Sequence, residues 1–340
     1  MRQLVFVKKH TIEWRDVPDP VLEGKNQAIV RPLAVARCDL DLPIIHGQTL
    51  FRPGFALGHE FVGEVVQTSE DVVGFPPGTK VVVPFQVSCG SCPACARAFS
   101  RNCETTGPMD YGMGPGGKKY GGALAEKVLV PYAQQMLLKL PEGADLVGLA
   151  SLSDNISEAW KLAGKYLANR LQPVLVLGGF ASSIGLYTAS LAKAMGAEVL
   201  YIDNDKERLG IAEKLGVPVE QVETLPKSWD KKFPIVVDAN NSEAGFQFCL
   251  RSADFGGKVT SASIYWTNRL EFPYMDMYLK GASVDIGRVD SRETMPEILK
   301  WVASGKFNPG AIVTKTALLK DAAEAWLEPS IKLVITQDSP

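Results

Sequence analysis

The sequence predicts an α/β protein of two domains, one β-rich and one built on a doubly wound parallel sheet. Three observations predict it. A strand, a glycine turn, a helix and a second strand run from Pro173 to Asp203 and end on an acid. Short β-type runs broken by Pro and Gly fill about the first 150 residues, whereas βα alternation follows residue 170. Four cysteines fall between Cys89 and Cys103.

Bulk properties set the frame. A chain of 340 residues can bury two separate cores. A formal net charge of −2 provides no field for nucleic acid or an anionic membrane. No apolar run reaches transmembrane length, and the first residues read as a strand rather than a signal peptide. Six cysteines, four of them clustered, point to a metal site in a reducing, cytoplasmic compartment rather than a disulfide framework.

In the first part of the chain, residues 28–32, 60–67, 80–84 and 127–130 read as strands, with turns at 17–20 and 74–78. Cys89, Cys92, Cys95 and Cys103 can close a tetrahedron around zinc. Four sulfurs leave no open position, so such a site is structural. Two disulfides or an iron–sulfur cluster are the other readings of the same spacing. Cys38 and His59 are dispersed, and a thiolate and an imidazole need a third protein ligand to make a catalytic zinc site. Taken singly, each is an ordinary core residue. Residues 107–122 are glycine-rich and carry no element signal, so they read as a mobile flap or a connector.

The segment from Pro173 to Asp203 reads as a dinucleotide cradle. Residues 174–177 form an apolar run suited to a strand buried on both faces. Gly178 and Gly179 make the turn, Gly185 lets the helix pack on the strand, and residues 183–195 have helical spacing. Ser182, Ser183 and Ile184 then lie at the helix N-terminus, where backbone N–H groups and the helix dipole suit a pyrophosphate. Strand 198–202 leads to Asp203, an acid placed to accept both ribose hydroxyls. It favours NAD, because a carboxylate repels a 2′-phosphate and no arginine follows it directly. The turn is longer by about two residues than the usual G-x-G-x-x-G, and an ordinary βα unit with turn-forming glycines is the other reading. Helices at 206–215 and 242–252 and strands at 233–238, 258–263 and 282–286 complete the parallel-sheet pattern.

Cys38-x-x-Asp41, Gly58-His59-Glu60, the four-cysteine stretch and the nucleotide unit occur in that order. Together they resemble the zinc-containing medium-chain dehydrogenases of the alcohol dehydrogenase family, over essentially the whole chain. The resemblance implies a GroES-like catalytic domain (1–154 and 289–340, with a structural zinc lobe at 85–106) and a Rossmann NAD-binding domain (155–288). It implies that Cys38 and His59 hold a catalytic zinc, that Glu60 approaches the metal transiently and that Asp41 orients His59. It also implies that Leu40 and Phe85 line the substrate pocket and that Asn240 lies near the nicotinamide ribose. Two zinc ions and NAD per chain, a small alcohol or aldehyde substrate, and a homodimer or homotetramer follow from it.

Two departures stand out. Many members carry Cys as the third zinc ligand; here Asp154 occupies the segment Ala150-Ser151-Leu152-Ser153-Asp154, as in the formaldehyde dehydrogenase and dismutase branch. Asp154 is either the third ligand or the N-cap of the following helix. Leu40 stands where the family has a proton-passing Ser or Thr, so Asp39, His46 or a water would take that task. The expected function is zinc- and NAD-dependent alcohol oxidation or its reverse. Aldehyde dismutation with tightly held NAD, and a non-catalytic dinucleotide-binding relative, are the alternatives.

Overall fold

The structure, a computed structural model, describes residues 1–337. The chain divides into two compact units. One comprises Met1–Ser157, Val289–Ala303 and the stretch from Val313 onward; the other comprises Glu158–Arg288 and Ser304–Ile312. The second unit begins a few residues later than the sequence reading places it, and it regains Ser304–Ile312, whose short helical turn Pro309–Ile312 packs on the helix Ser182–Ala194.

The first unit is built on a mixed sheet whose spine is Lys315–Leu318, Leu333–Thr336, Ala28–Ala36, Glu60–Thr68, Lys80–Val83 and Leu138–Lys139, with Val128–Val130 also on Ala28–Ala36. The sequence reading stops the strand that begins at Ala28 at Pro32, but it continues to Ala36. Pro32 sits beside a register shift between Pro32 and Ala34, the kind of irregularity at which a strand accommodates a residue without an N–H. Register then does what spacing could not reveal. Ala36 pairs with Glu60 and with Val334, so Cys38, His59 and Lys332 come to one end of three adjacent strands. Beneath lies a core that includes Phe6, Phe61, Val83, Tyr111, Leu124, Trp326 and Leu333.

Residues 107–122 correct the reading of a mobile flap. They contain a helix, Gly114–Lys119, and Tyr111 is fully buried with its hydroxyl donating to Leu129 O at 2.8 Å. The glycines serve close backbone approach. A Cβ on Gly122 would lie 2.1 Å from Leu57 O, and one on Gly116 would lie 2.2 Å from Asp110 N. Gly122→Ala is therefore expected to destabilise the chain by about 3 kcal/mol through overpacking. A urea midpoint unchanged from the wild type would show that this contact yields freely.

The second unit is a six-stranded, wholly parallel sheet in the order Val219–Gln221, Val199–Asp203, Val174–Leu177, Phe233–Asp238, Ala253–Ser261, Ser283–Asp285. Strand order reverses between Val174–Leu177 and Phe233–Asp238, the place where such sheets open a ligand crevice at their C-terminal ends. Strands covered on both faces must be apolar throughout, and Val174, Leu175, Val176 and Leu177 are all buried. Among the described residues no helix is long and apolar enough to cross a membrane.

Candidate active site

Three side chains from distant stretches converge in the first unit. Cys38 follows the end of Ala28–Ala36, and His59 directly precedes Glu60–Thr68. Asp154 closes the helical turn Ala150–Ser153, which is pinned to the sheet by the Ser153 hydroxyl, 3.3 Å from Phe61 N and 3.4 Å from His59 O. One ligand atom from each of Cys38, His59 and Asp154 lies within 4.8 Å of the others. His59 Nε2 and Asp154 Oδ2 are 3.2 Å apart. On the far side of the ring, His59 Nδ1 is 3.7 Å from Asp41 Oδ1, and both atoms are buried without a hydrogen-bond partner. The other oxygen, Asp41 Oδ2, accepts from Cys38 N at 2.8 Å. An imidazole backed by a carboxylate on Nδ1, with Nε2 turned to two anionic donors, is the arrangement that metal-binding histidines use.

The electrostatics fit a cation. Burial pushes the Cys38 thiol well up, and Asp154, Glu60 and Asp41 push it further. Burial alone would lower His59, but Asp41 and Asp154 outweigh it and raise it to about 9. Thus the uncompensated cluster keeps a proton on the sulfur and draws one onto the ring. A divalent cation among the three donors reverses both preferences, releasing protons as it binds. One sulfur, one nitrogen and one oxygen suit zinc.

A second layer ties the three stretches together. Glu60 Oε1 accepts from Asn155 N at 2.8 Å; Glu60 Oε2 accepts from Ser151 Oγ at 3.0 Å and from Lys332 Nζ at 2.9 Å. Lys332 is fully buried and also donates to Arg37 O at 2.9 Å. Burial raises Glu60 to about 7, with Asp154 adding to the shift and Lys332 opposing it. Glu60 is thus bonded through both oxygens in this arrangement. Phe85 lies beside His59, ring centroids 5.7 Å apart. Leu40 packs against the core and offers no hydroxyl. His46 pairs with the His10 ring at 4.9 Å. Sequence reasoning missed Lys332, Arg37, Asn155 and Ser151, because their roles depend on strand register.

The four sulfurs of Cys89, Cys92, Cys95 and Cys103 also lie within 4.8 Å of one another, and none is in a disulfide. Cys92 Sγ and Cys103 Sγ are 3.9 Å apart; a tetrahedron with metal–sulfur bonds of about 2.3 Å has edges of about 3.8 Å. Backbone N–H groups of Ser91, Cys92 and Glu104 aim at these sulfurs at 3.3–3.5 Å. Although burial opposes it, the Thr105 hydroxyl and the N–H groups of Ser91 and Cys92 bring Cys89 down to about 5. The lobe docks on the helix Ser291–Ala303 and the residue before it through Ser100 Oγ to Glu293 at 2.6 Å and Arg101 to Asp290. Cys103→Ser is expected to remove one metal, lower the melting temperature by about 10 °C and open residues 88–106 to protease. Full metal content with native protease resistance would show that the lobe does not depend on a metal.

The second unit holds a pocket of about 360 Å³ at the sheet's C-terminal edge, lined in part by Gly178, Asp203, Asn204, Thr224 and Asn240. A Cβ on Gly178 would lie 2.2 Å from Asp203 Oδ2. Gly179 has φ +154°, and its Cβ would lie 2.7 Å from Asn240 Cα, so it permits a close backbone approach at the turn. Asn240 Nδ2 donates to Gly178 O at 3.0 Å. The helix begins at Ser182, whose hydroxyl donates to Gly179 O at 2.8 Å; Ser183 and Ile184 bury their side chains, and Gly185 packs beside Ala239.

Asp203 differs from expectation. Its side chain is fully covered. Oδ2 accepts from Tyr201 OH at 2.8 Å and Arg208 Nε at 2.7 Å; Oδ1 accepts from Arg208 NH2 at 2.6 Å and from the N–H groups of Asn204 and Asp205. No arginine follows directly, yet Arg208 returns from the next helix to grip the carboxylate. In this arrangement the oxygens are committed to protein donors rather than open to two ribose hydroxyls.

Comparison with known proteins agrees with this architecture. Residues 24–142 match the model of the alcohol dehydrogenase GroES-like domain, and residues 183–304 match that of zinc-binding dehydrogenases. A medium chain reductase/dehydrogenase of an Acremonium species is 32% identical over 66% of this chain and 78% of its own length. A probable zinc-binding alcohol dehydrogenase of Mycobacterium tuberculosis is 28% identical over 96% of this chain and 84% of its own. The solved structure of an alcohol dehydrogenase from a Thermus species superposes with a TM-score of 0.90 at 29% identity, covering 99% of both chains.

Proposed function

Since the chain belongs to the zinc-containing medium-chain dehydrogenases, we propose that it moves hydride between an alcohol, or the corresponding aldehyde or ketone in reverse, and NAD, using two zinc ions per chain. The observation that carries this reading is the convergence of Cys38, His59 and Asp154, with the unpaired Asp41 and His59 atoms behind them. A zinc ion held there supplies Lewis acidity to the substrate oxygen, and bound nicotinamide supplies the hydride acceptor.

The chain's own residues do the rest. Cys38 and Asp154 act as anionic donors. Asp41, 3.7 Å from His59 Nδ1, is placed to take up the Nδ1 proton on a small approach and so to keep the ring with Nε2 forward. Phe85 gives an apolar wall beside His59 that keeps water away. Glu60, tied to Lys332, Asn155 and Ser151, braces the ligand stretches; approaching the metal would require it to give up those bonds. Leu40 cannot pass a proton, so the substrate proton leaves by way of water or another side chain. Glu223 at the pocket wall, and the grip of Asp203 on Arg208 that keeps the guanidinium from a 2′-phosphate, support NAD over NADP. Cys89, Cys92, Cys95 and Cys103 hold the second zinc, which serves the fold. A reducing, cytoplasmic setting suits these uncrosslinked thiols, and a homodimer or homotetramer is the proposed assembly.

Asp154 in place of a cysteine favours a second reading, aldehyde dismutation with NAD retained through both half-reactions. Zinc analysis with a panel of alcohols and aldehydes against NAD and NADP tests both. Two zincs with NAD-dependent alcohol turnover support the first reading, and product from aldehyde without added cofactor supports the second. One zinc and no turnover would favour a non-catalytic dinucleotide-binding protein.

A further inference from the structure

We propose that Arg37 is a positioning residue for the three-ligand metal site: its buried guanidinium clamps the segment 326–330 and thereby holds the stretch carrying Cys38 in the geometry that a metal needs. This rests on the reading that Cys38, His59 and Asp154 hold zinc.

Arg37 directly precedes Cys38 and is 4% exposed. Its guanidinium makes four hydrogen bonds to one short segment. NH1 donates to Trp326 O at 2.8 Å and Glu328 O at 2.6 Å; NH2 donates to Ser330 O at 3.1 Å and Ser330 Oγ at 2.8 Å. The backbone of Arg37 is held as well, its N–H donating to Leu333 O at 2.9 Å and its carbonyl accepting from Lys332 Nζ at 2.9 Å. Lys332 continues to Glu60, and Glu60 to Asn155 N. Each proposed ligand is therefore next in the chain to a member of one buried network: Cys38 to Arg37, His59 to Glu60, Asp154 to Asn155.

The physical argument is pre-organisation. Three ligands from separate stretches bind a metal tightly only if their relative positions are fixed before it arrives, because otherwise the ordering cost is subtracted from affinity. Glu60 and Lys332 tie the stretches at their inner side. Lys332 itself sits on a strand whose approach is fixed by the 326–330 segment, and Arg37 is what grips that segment. A buried guanidinium is costly to leave unsatisfied, so its four bonds fix both partners. A planar fork can reach several carbonyls at once, whereas a lysine is a point donor.

The test uses the full-length chain loaded with zinc, or with cobalt(II) as a spectroscopic stand-in, and follows metal release to a chelator. Arg37→Met is expected to release metal from the three-ligand site about 10- to 100-fold faster, the range seen when a ligand's supporting contacts are lost, with the four-cysteine site unchanged. The cobalt absorption of the sulfur–nitrogen–oxygen site should broaden, and Arg37→Lys should fall between wild type and Arg37→Met. Folded Arg37→Met that releases both metals at wild-type rates overturns the proposal; so does equal acceleration at both sites, which marks general loosening. If Arg37→Met does not fold, Arg37→Lys and Ser330→Ala decide, and wild-type release from both overturns it. A single metal in the wild-type chain would sink the ligand-set reading and this inference with it. Two metals in the wild type with unaltered variants would sink this inference alone.

Discussion

Replacing Asp154 with alanine is expected to leave the chain with one zinc instead of two and to cut turnover about a thousandfold or more. The magnitude follows from losing a Lewis acid that contributes several kcal/mol at the reacting oxygen, at about 1.4 kcal/mol per tenfold. The carboxylate stands 3.2 Å from His59 Nε2 in a site whose remaining donors, one thiolate and one imidazole, are too few for a catalytic zinc. Asp154→Ser separates this from the helix-capping reading. Serine caps a helix as well as aspartate does, so a capping role would leave the metal in place. Asp154→Cys should retain two zincs. Two zincs per chain in the alanine and serine variants would reject the ligand role, and the four-cysteine site provides the internal standard.

The second large effect is expected at Asp203. Its covered carboxylate takes five donors, two of them from Arg208. Asp203→Ala strands a guanidinium and a tyrosine hydroxyl, and breaking a buried pair from one side costs about 3–5 kcal/mol. The same change removes negative charge from the pocket and frees Arg208 to meet a 2′-phosphate. The dissociation constant for NADP should therefore fall relative to that for NAD, moving their ratio about tenfold or more. Calorimetric titration with both cofactors, alongside thermal unfolding, reads both effects. Equal weakening of NAD and NADP would dismiss the charge argument.

Much of this fold was legible in local pattern. Residues 233–238 read as a buried strand and form Phe233–Asp238, because a strand covered on both faces has no polar face to confuse the reading. Residues 107–122 misled because glycine signals looseness in a sequence, yet here it permits backbone to touch backbone. The metal-site residues were visible as types and as resemblance; their convergence depends on Ala36 pairing with Glu60, which only the folded sheet determines. The Arg208 grip on Asp203 crosses a strand–helix junction, and no helical or strand periodicity points to it. Lys332 gave no local sign at all. Its meaning comes from Val334 lying opposite Ala36.

The placement of Lys332 bears on how the protein matures. Ala28–Ala36 is completed by a strand, Leu333–Thr336, that the ribosome makes only after the whole nucleotide-binding unit. The four cysteines and the donors that reach their sulfurs are all present in a nascent chain once Thr105 has emerged, although the helix on which the lobe docks, Ser291–Ala303, follows the nucleotide-binding unit. Cys38, His59 and Asp154 also precede that unit, but the Lys332 tie to Glu60 forms only with the late strand, and until then one margin of the sheet stays unpaired and open to wrong partners.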